Sequence, residues 1–433
     1  MARGAAFTAD YKATPYWWEA APPDASDGAP LPAAADVAIV GSGYTGLHAA
    51  LQTARAGLST VVIDAEAAGW GCSTRNGGQV SESVKPSYAA LAARYGPETA
   101  AALRREGAAS LAFTRSFLAE EGIDADFREV GRFHGAHLAK SYAALTREVA
   151  AEAARSDAGA YMVCRADMAT ELGTRAYFGG AVFPRHCSLD PGKYHRGLLA
   201  RCRAAGAQIV PNCRATELER LPTGFRLRTE QGSLNAGKVV LATNGYTGPL
   251  SPWHRRRVIP IGSYVIATAP IAKDRMDRLF PTDRILSDTR KLVYYYRPSP
   301  DRTRILFGGR VSLSEADPDK TGPILLNELV RLFPELAGTR ISHSWSGTVA
   351  YTFDTLMHLG EENGLFHAMG YCGSGVGMAG YLGRKLGRRV AGLDDADTVF
   401  DTPTFPTRPF YTGTPWFLAP SVLVYRIRDR FGW

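Results

Sequence analysis

The segment Gly41-Ser42-Gly43-Tyr44-Thr45-Gly46 constrains this chain more than any other, because of what flanks it. It follows Val37-Ala38-Ile39-Val40, a short apolar run of buried-strand type, and leads into a helical stretch, His48 to Ala56, ended by Gly57. A second buried run, Thr60-Val61-Val62-Ile63, comes next. The spacing predicts a β-α-β unit of about 30 residues. Gly41 permits the tight turn, Gly43 lets backbone approach a pyrophosphate with no Cβ in the way, and Gly46 lets the helix pack closely on the strand. The helix N-terminus then meets the phosphate charge. Asp64 closes the second strand, 18 positions after Gly46. A carboxylate there can bond the ribose hydroxyls of an adenosine, and it argues against the 2′-phosphate of NADP.

Just beyond lies Gly69-Trp70-Gly71-Cys72-Ser73-Thr74-Arg75-Asn76-Gly77-Gly78-Gln79. An NAD site has no need of such a stretch. A flavin does, because its ring must lie against backbone while hydroxyl and amide groups bond the ribityl and phosphate oxygens. A third segment, Val239-Val240-Leu241 followed by Ala242, Thr243, Asn244 and Gly245, reads as a buried strand ending in small residues. The fourth runs from Gly370 to Met378, with Gly373, Ser374, Gly375, Val376 and Gly377 before a helix expected to start near Tyr381. Its backbone N–H groups and helix dipole can face charge on a reduced flavin. Ala65 and Ala215 are grouped with these cofactor contacts.

The chain has 433 residues, 45% hydrophobic and 21% charged, which excludes a disordered protein and allows one large domain or two intimate ones. The formal charge of +8 comes from scattered arginines. Their clusters, such as Arg255-Arg256-Arg257, are too short for a nucleic-acid tail. They form either a solvated surface or a field that draws in an anionic substrate. The six cysteines contain no C-x-x-C pair, and no segment has signal-peptide or membrane-spanning character, so a reducing, cytoplasmic setting is expected. His186, Cys187, Asp190 and His195 lack metal-ligand spacing, and no metal site is expected.

Element order predicts an α/β protein with a Rossmann-like, two-dinucleotide-binding FAD domain and an inserted strand-rich substrate domain. Residues 1–35 read as an N-terminal extension, with 19–35 an extended lead-in. The FAD domain takes 36–87, 188–250 and 345–400, the substrate domain takes 88–187 and 251–344, and 401–433 form a tail. Residues 88–120 read as helical, Tyr194 to Ala204 as a helix, Gln208 to Val210 as a strand, Phe225 to Thr229 as part of a hairpin, and Val258 to Val311 as strands.

With these motifs in place, the chain resembles the D-amino-acid-oxidase superfamily of FAD enzymes, the group with glycine and sarcosine oxidases, and within it the γ-glutamylputrescine oxidase type. The resembling segments include PYWWE, DVAIVGSGYTGL, GWGCSTRNGGQ, VVLATNGYT, VIPIGSYVIAT, LVYYYRPSPDRTRILFGGR, GYCGSGVGM and RPFYTGTPWFLAP. The resemblance implies FAD as cofactor and oxidation of an amine C–N bond to an imine. Water then hydrolyses the imine, and dioxygen reoxidises the flavin with release of hydrogen peroxide. The partners it implies are a small amine carrying an acid group and dioxygen, with no nucleic acid and no membrane. Sarcosine-oxidase relatives attach flavin through a cysteine near the segment SGTVAYT. This chain has none from Ser344 to Thr352, so non-covalent FAD is expected. Those relatives also carry a lysine near the flavin, which ILFGGR does not offer. An amine dehydrogenase with another electron acceptor, an NAD enzyme and a non-catalytic flavin-binding partner protein are the competing readings.

An aromatic pocket would hold the amine neutral by disfavouring the ammonium. Tyr264 and Tyr295 with Arg310 are the candidates for catalysis, and Tyr294, Tyr296 and Arg297 for substrate binding. Strand alternation puts Tyr294 and Tyr296 on one face and Tyr295 on the other. Arg297 or Arg310 can pair bidentately with a carboxylate.

Overall fold

The computed structural model describes residues 6–25, 28–156, 158–310, 317–401 and 403–432. Two sheets carry the fold. In the first, Leu365–Met369, Gly232–Leu241, Ala34–Val40, Thr60–Ile63 and Gln208–Val210 run parallel, side by side. The antiparallel strands Ala215–Arg220 and Phe225–Thr229 extend one side, and His358–Glu362 pairs with Leu365–Met369. Val37, Ile39, Val62, Val239 and Val240 are buried because side chains from both faces of the parallel strands are covered.

Two helices sit against one another over this sheet. Tyr44–Arg55 begins four residues before the expected His48, since the glycine turn hands directly into it. Gly375–Ala391 begins at Gly375 rather than near Tyr381, because glycines that read as loop form a contact face. A Cβ on Gly383 would stand 2.6 Å from the Thr45 carbonyl oxygen, and one on Gly387 2.5 Å from that of Ala49. This matched offset makes the helices parallel. It also carries the N-terminus of the second helix roughly 10 Å beyond that of the first, at 1.5 Å per residue.

The second sheet has nine strands in the order Phe7–Lys12, Ile341–Tyr351, Ile259–Thr268, Ile305–Gly309, Tyr295–Pro298, Ile285–Asp288, Arg132–Gly135, Gly179–Phe183, Tyr161–Cys164. Its register decides which side chains go where. Phe133, Leu286, Tyr296, Phe307 and Ile266 share one face and pack with Leu325, Leu326 and Leu329 of the helix Pro318–Leu332. His134, Ser287, Tyr295, Gly308 and Val265 share the other face.

Several expectations change here. Within the expected N-terminal extension, Phe7–Lys12 is an edge strand parallel to Ile341–Tyr351, and Trp17 is fully buried, its Nε1 donating to the Asn76 carbonyl. The strand Ile341–Tyr351 runs across the division expected at 344/345 and pairs with Ile259–Thr268 along nearly its whole length. The helical stretch 88–120 is two helices, Tyr88–Tyr95 and Pro97–Glu120. They part at Gly96, whose φ of +85° suits glycine, with Pro97 opening the second. Val311, the expected end of the strand-rich stretch, lies outside the described residues.

Candidate active site

A cavity of about 2260 Å³ opens between the two sheets. A site for one drug-sized molecule needs roughly 300–1,000 Å³. This space suits a dinucleotide and a second molecule together.

The glycine turn forms one end. Gly41 has a φ of +108°, and a Cβ there would lie 2.9 Å from the Ala242 carbonyl oxygen; one on Gly43 would lie 2.9 Å from Ser73 Oγ. Asp64 Oδ2 accepts from the Ser42 backbone N–H at 2.7 Å and from Ser42 Oγ at 2.6 Å, while Oδ1 accepts from the Glu66 N–H at 3.1 Å. Asp64 therefore ties the turn down as well as facing the cavity. Behind it, burial lowers the pKa of His195, which keeps the ring neutral, and its Nε2–H donates to the Ser42 carbonyl at 2.7 Å.

The second loop meets the first. Ser73 Oγ accepts from the Tyr44 N–H at 2.9 Å, at the first residue of the helix. Asn76 holds the loop's shape: its Nδ2 donates to the carbonyls of Cys72 and Ser73 at 3.1 and 2.9 Å, and its Oδ1 accepts from the Gly78 N–H at 2.8 Å. The Arg75 guanidinium lies between two rings, 4.3 Å from the centre of Trp70 and 4.7 Å from that of Trp18. Burial raises the Cys72 thiol, which bonds the Thr348 carbonyl at 2.9 Å. The turn at Gly41 and the stretch ending at Gln79 thus line one cavity.

This cradle fits FAD. No side chain of the N-cap residue bonds the N-terminus of Tyr44–Arg55 or of Gly375–Ala391, and both N-termini line the cavity. Gly41 to Thr45 and Ser73 can hold a pyrophosphate, while Asp64, Ala65, Ala215 and Ala242 can surround an adenosine. Trp70 to Ser73 and Arg75 to Gly77, with Gln79, Thr243, Asn244 and Gly373 to Val376, line the remainder. Gly46, Gly78, Gly245, Gly377 and Met378, expected as contacts, are not among the lining residues. Gly46 is a packing position, where a Cβ would stand 1.9 Å from the Gly41 carbonyl oxygen.

On the substrate side the register separates the candidates. Tyr295 faces the cavity and its hydroxyl bonds Ser263 Oγ at 2.9 Å. Its ring crosses two glycines: a Cβ on Gly308 would lie 2.3 Å from it and one on Gly77 3.1 Å. Arg310 also lines the cavity and donates to the Gly262 carbonyl at 3.0 Å. Tyr264 and Tyr296 do not line it; both are buried in the core beneath the helix Pro318–Leu332, where the Tyr296 hydroxyl bonds that of Tyr177 at 3.1 Å. Tyr294 lies on that side too and lines a separate, smaller cleft. Arg297 is a structural clamp. It donates to the carbonyls of Gly78, Leu189 and Pro298 at 3.0, 2.9 and 3.1 Å and lies over Trp17.

The structure adds residues that the sequence reading passed over: Lys85, Arg132, His134, Tyr246, Ser287 and Tyr371 all line the cavity. The signal for two of them was present in the alternation Arg132-Phe133-His134-Gly135, polar residues facing one way and apolar or small ones the other. Among the described residues no group of three His, Cys, Asp or Glu could hold a metal ion, and no helix is long and apolar enough to cross a membrane.

Comparison with known proteins agrees with this geometry. Residues 36–389 match the family described as FAD dependent oxidoreductase (DAO). The chain is 29% identical over 411 residues to a gamma-glutamylputrescine oxidoreductase of Escherichia coli, covering 92% of this chain and 93% of that protein. It is 30% identical over 432 residues to the probable oxidoreductase OrdL of Rhizobium meliloti, covering 96% and 97%. Glycine oxidase from Geobacillus kaustophilus shares the fold with a TM-score of 0.71 at 19% identity, over 87% of this chain and 99% of that one. The architecture is a Rossmann-like FAD domain with an inserted strand-rich substrate domain.

Proposed function

This chain belongs to the family of FAD dependent oxidoreductases, and from that premise we propose that it oxidises the C–N bond of an amine carrying an acid group, either a γ-glutamyl amine or an N-alkyl amino acid. FAD, when bound, supplies the two-electron sink for that oxidation and passes the electrons to dioxygen, giving hydrogen peroxide. Water adds to the resulting imine and releases a carbonyl compound and an amine.

One observation carries this reading: the cavity joins the glycine cradle to a sheet face bearing Tyr295, Ser263 and the half-buried cationic groups Arg132 and Arg310. An oxidisable amine must be neutral at the moment of reaction, and a partly apolar wall of Ile259, Ile261 and Val349 disfavours the ammonium. Tyr295, pinned between Gly77 and Gly308, offers an oriented hydroxyl beside that wall. The name of the Escherichia coli relative supports the γ-glutamyl choice. None of the six cysteines is disulfide-bonded, which suits a reducing cytoplasm.

The test is anaerobic mixing of the yellow protein with γ-glutamyl amines and N-alkyl amino acids. Bleaching of the flavin band, followed by peroxide on admission of air, supports the reading. A flavin that no amine on this panel reduces overturns it. Acid precipitation releases all the yellow colour if the cofactor is held without a covalent bond.

A further inference from the structure

Two arginines near this cavity, Arg297 buried behind it and Arg132 half-buried on its wall, are differently employed. Burial pulls both Arg132 and Arg297 down to about 10. Arg297 donates to three carbonyl oxygens. Arg132 makes one long bond, to Gln79 Oε1 at 3.4 Å, and its buried Nε–H has no partner. A guanidinium carries five N–H donors, and leaving them unmade in a buried place is costly.

The surroundings deepen the contrast. Arg132 and His134 occupy alternate positions of one strand, on the face that lines the cavity. Arg132 helps to hold His134 and His186 neutral, burial being the larger cause, and Lys85 acts on His134 in the same sense. Glu82 stands 4.0 Å from His186 Nε2, and no carboxylate among the described residues pairs with Arg132 itself. Gln79 is held in place because its Nε2 donates to the carbonyls of Leu286 and Tyr296 at 3.2 Å each, which turns Oε1 toward the guanidinium.

We infer that Arg132, oriented by Gln79, anchors an anion subsite at the sheet end of the cavity, and that it takes a carboxylate at the end of the substrate remote from the oxidised C–N bond. The inference rests on the amine-oxidising reading and chooses between its two substrate classes. Arg132 is two strands over and one same-face position along from Tyr295, about 12 Å away by sheet spacings. That distance corresponds to roughly ten bonds of extended chain. A γ-glutamyl diamine spans it, with the terminal amine at Tyr295 and the glutamyl α-carboxylate on Arg132. An N-methyl amino acid, whose carboxylate lies beside the reacting carbon, does not.

The experiment compares wild type, Arg132→Met and Arg132→Lys, each loaded with FAD. Three amines are used: a γ-glutamyl-1,4-diamine, the same compound with its α-carboxylate converted to the amide, and sarcosine. For wild type, kcat/KM for the carboxylate exceeds that for the amide by about 30-fold or more, the scale of losing one partner of a buried charge pair. Arg132→Met brings the two to parity, chiefly through KM, Arg132→Lys restores part of the difference, and sarcosine is unaffected by either change. A non-oxidisable probe, γ-glutamyl-butylamide, perturbs the flavin spectrum of wild type and requires at least about tenfold more ligand in Arg132→Met. Without ligand, Arg132→Met melts at or above the wild-type temperature, because an unpaired buried charge has been removed. An unchanged carboxylate-to-amide ratio in Arg132→Met overturns the inference, as does a large drop in its melting temperature with normal probe binding. If no amine reduces the flavin while the probe still separates the variants, the oxidation reading fails and the subsite stands.

Discussion

The glycine cradle and the cavity face of the nine-stranded sheet are built on opposite principles. In the cradle, backbone does the work. Gly41, Gly43 and Gly46 are required for what they lack, since a Cβ at any of them would come within 3 Å of a neighbouring atom. On the sheet face, side chains do the work, and a single residue of register decides whether Tyr295 or Tyr296 meets a ligand. A backbone site tolerates almost no substitution at its glycines. A side-chain site fails one function at a time.

The largest effect is expected at the contact between the two parallel helices. Gly383→Leu places side chain where the Thr45 carbonyl already lies, 2.6 Å from the added Cβ. The flavin-to-protein ratio after purification should fall by more than about tenfold through such overpacking; normal loading would show that the helices part without cost.

Acid should weaken both regions together. His48, in the core behind the cradle against Phe113 and Phe117, and His134 in the sheet are each lowered to about 3, burial being the first cause, with Arg384 adding to it for His48 and Arg132 for His134. A base whose pKa is depressed by folding contributes stability above its unfolded value, near 6.5, and that contribution is lost as pH falls toward 3. Each histidine costs about 1.4 kcal/mol per pH unit below 6.5. Denaturation curves at pH 7 and pH 5 should differ by about 4 kcal/mol from these two alone, and His134→Asn should recover about half of it.

Asp64→Ala removes the acceptor of two Ser42 hydrogen bonds. FAD should bind about 10- to 100-fold more weakly, the range for hydrogen bonds to a charged group, with little change in flavin reduction once saturated. The mildest pair sharpens the register argument. Tyr295→Phe should slow anaerobic reduction several-fold, whereas Tyr296→Phe should leave the rate alone and cost about 1 kcal/mol of stability through the lost Tyr177 bond. Equal rates for the two variants would break the contrast.

The same division explains what was readable in the sequence. The glycine turn, Asp64 and the Gly69–Gln79 stretch are local patterns whose spacing alone implies their shape. Residue type alone suggests a cavity role for Tyr264, Tyr294, Tyr296 and Arg297, yet parity and long-range packing set their positions. Alternation correctly divided Tyr295 from its two neighbours, but it cannot say which face is which until the helix Pro318–Leu332 covers one. Arg132 and His134 were passed over because the strand carrying them is only four residues long and pairs with partners far away in the chain. The helix starts at Gly375, six residues before the expected Tyr381, because glycine weakens a helix only in isolation. Its packing role appears only when the other helix is present.

Holding two helices parallel with both N-termini facing one space turns two like poles toward it, one roughly 10 Å beyond the other and each equivalent to roughly half a positive charge. Empty, such an arrangement repels itself, and each additional glycine contact works against that repulsion. An incoming pyrophosphate reverses the sign of the problem. The cofactor is then the last structural member of the protein, and depriving the growing chain of flavin would leave it open to proteolysis before it could do any chemistry.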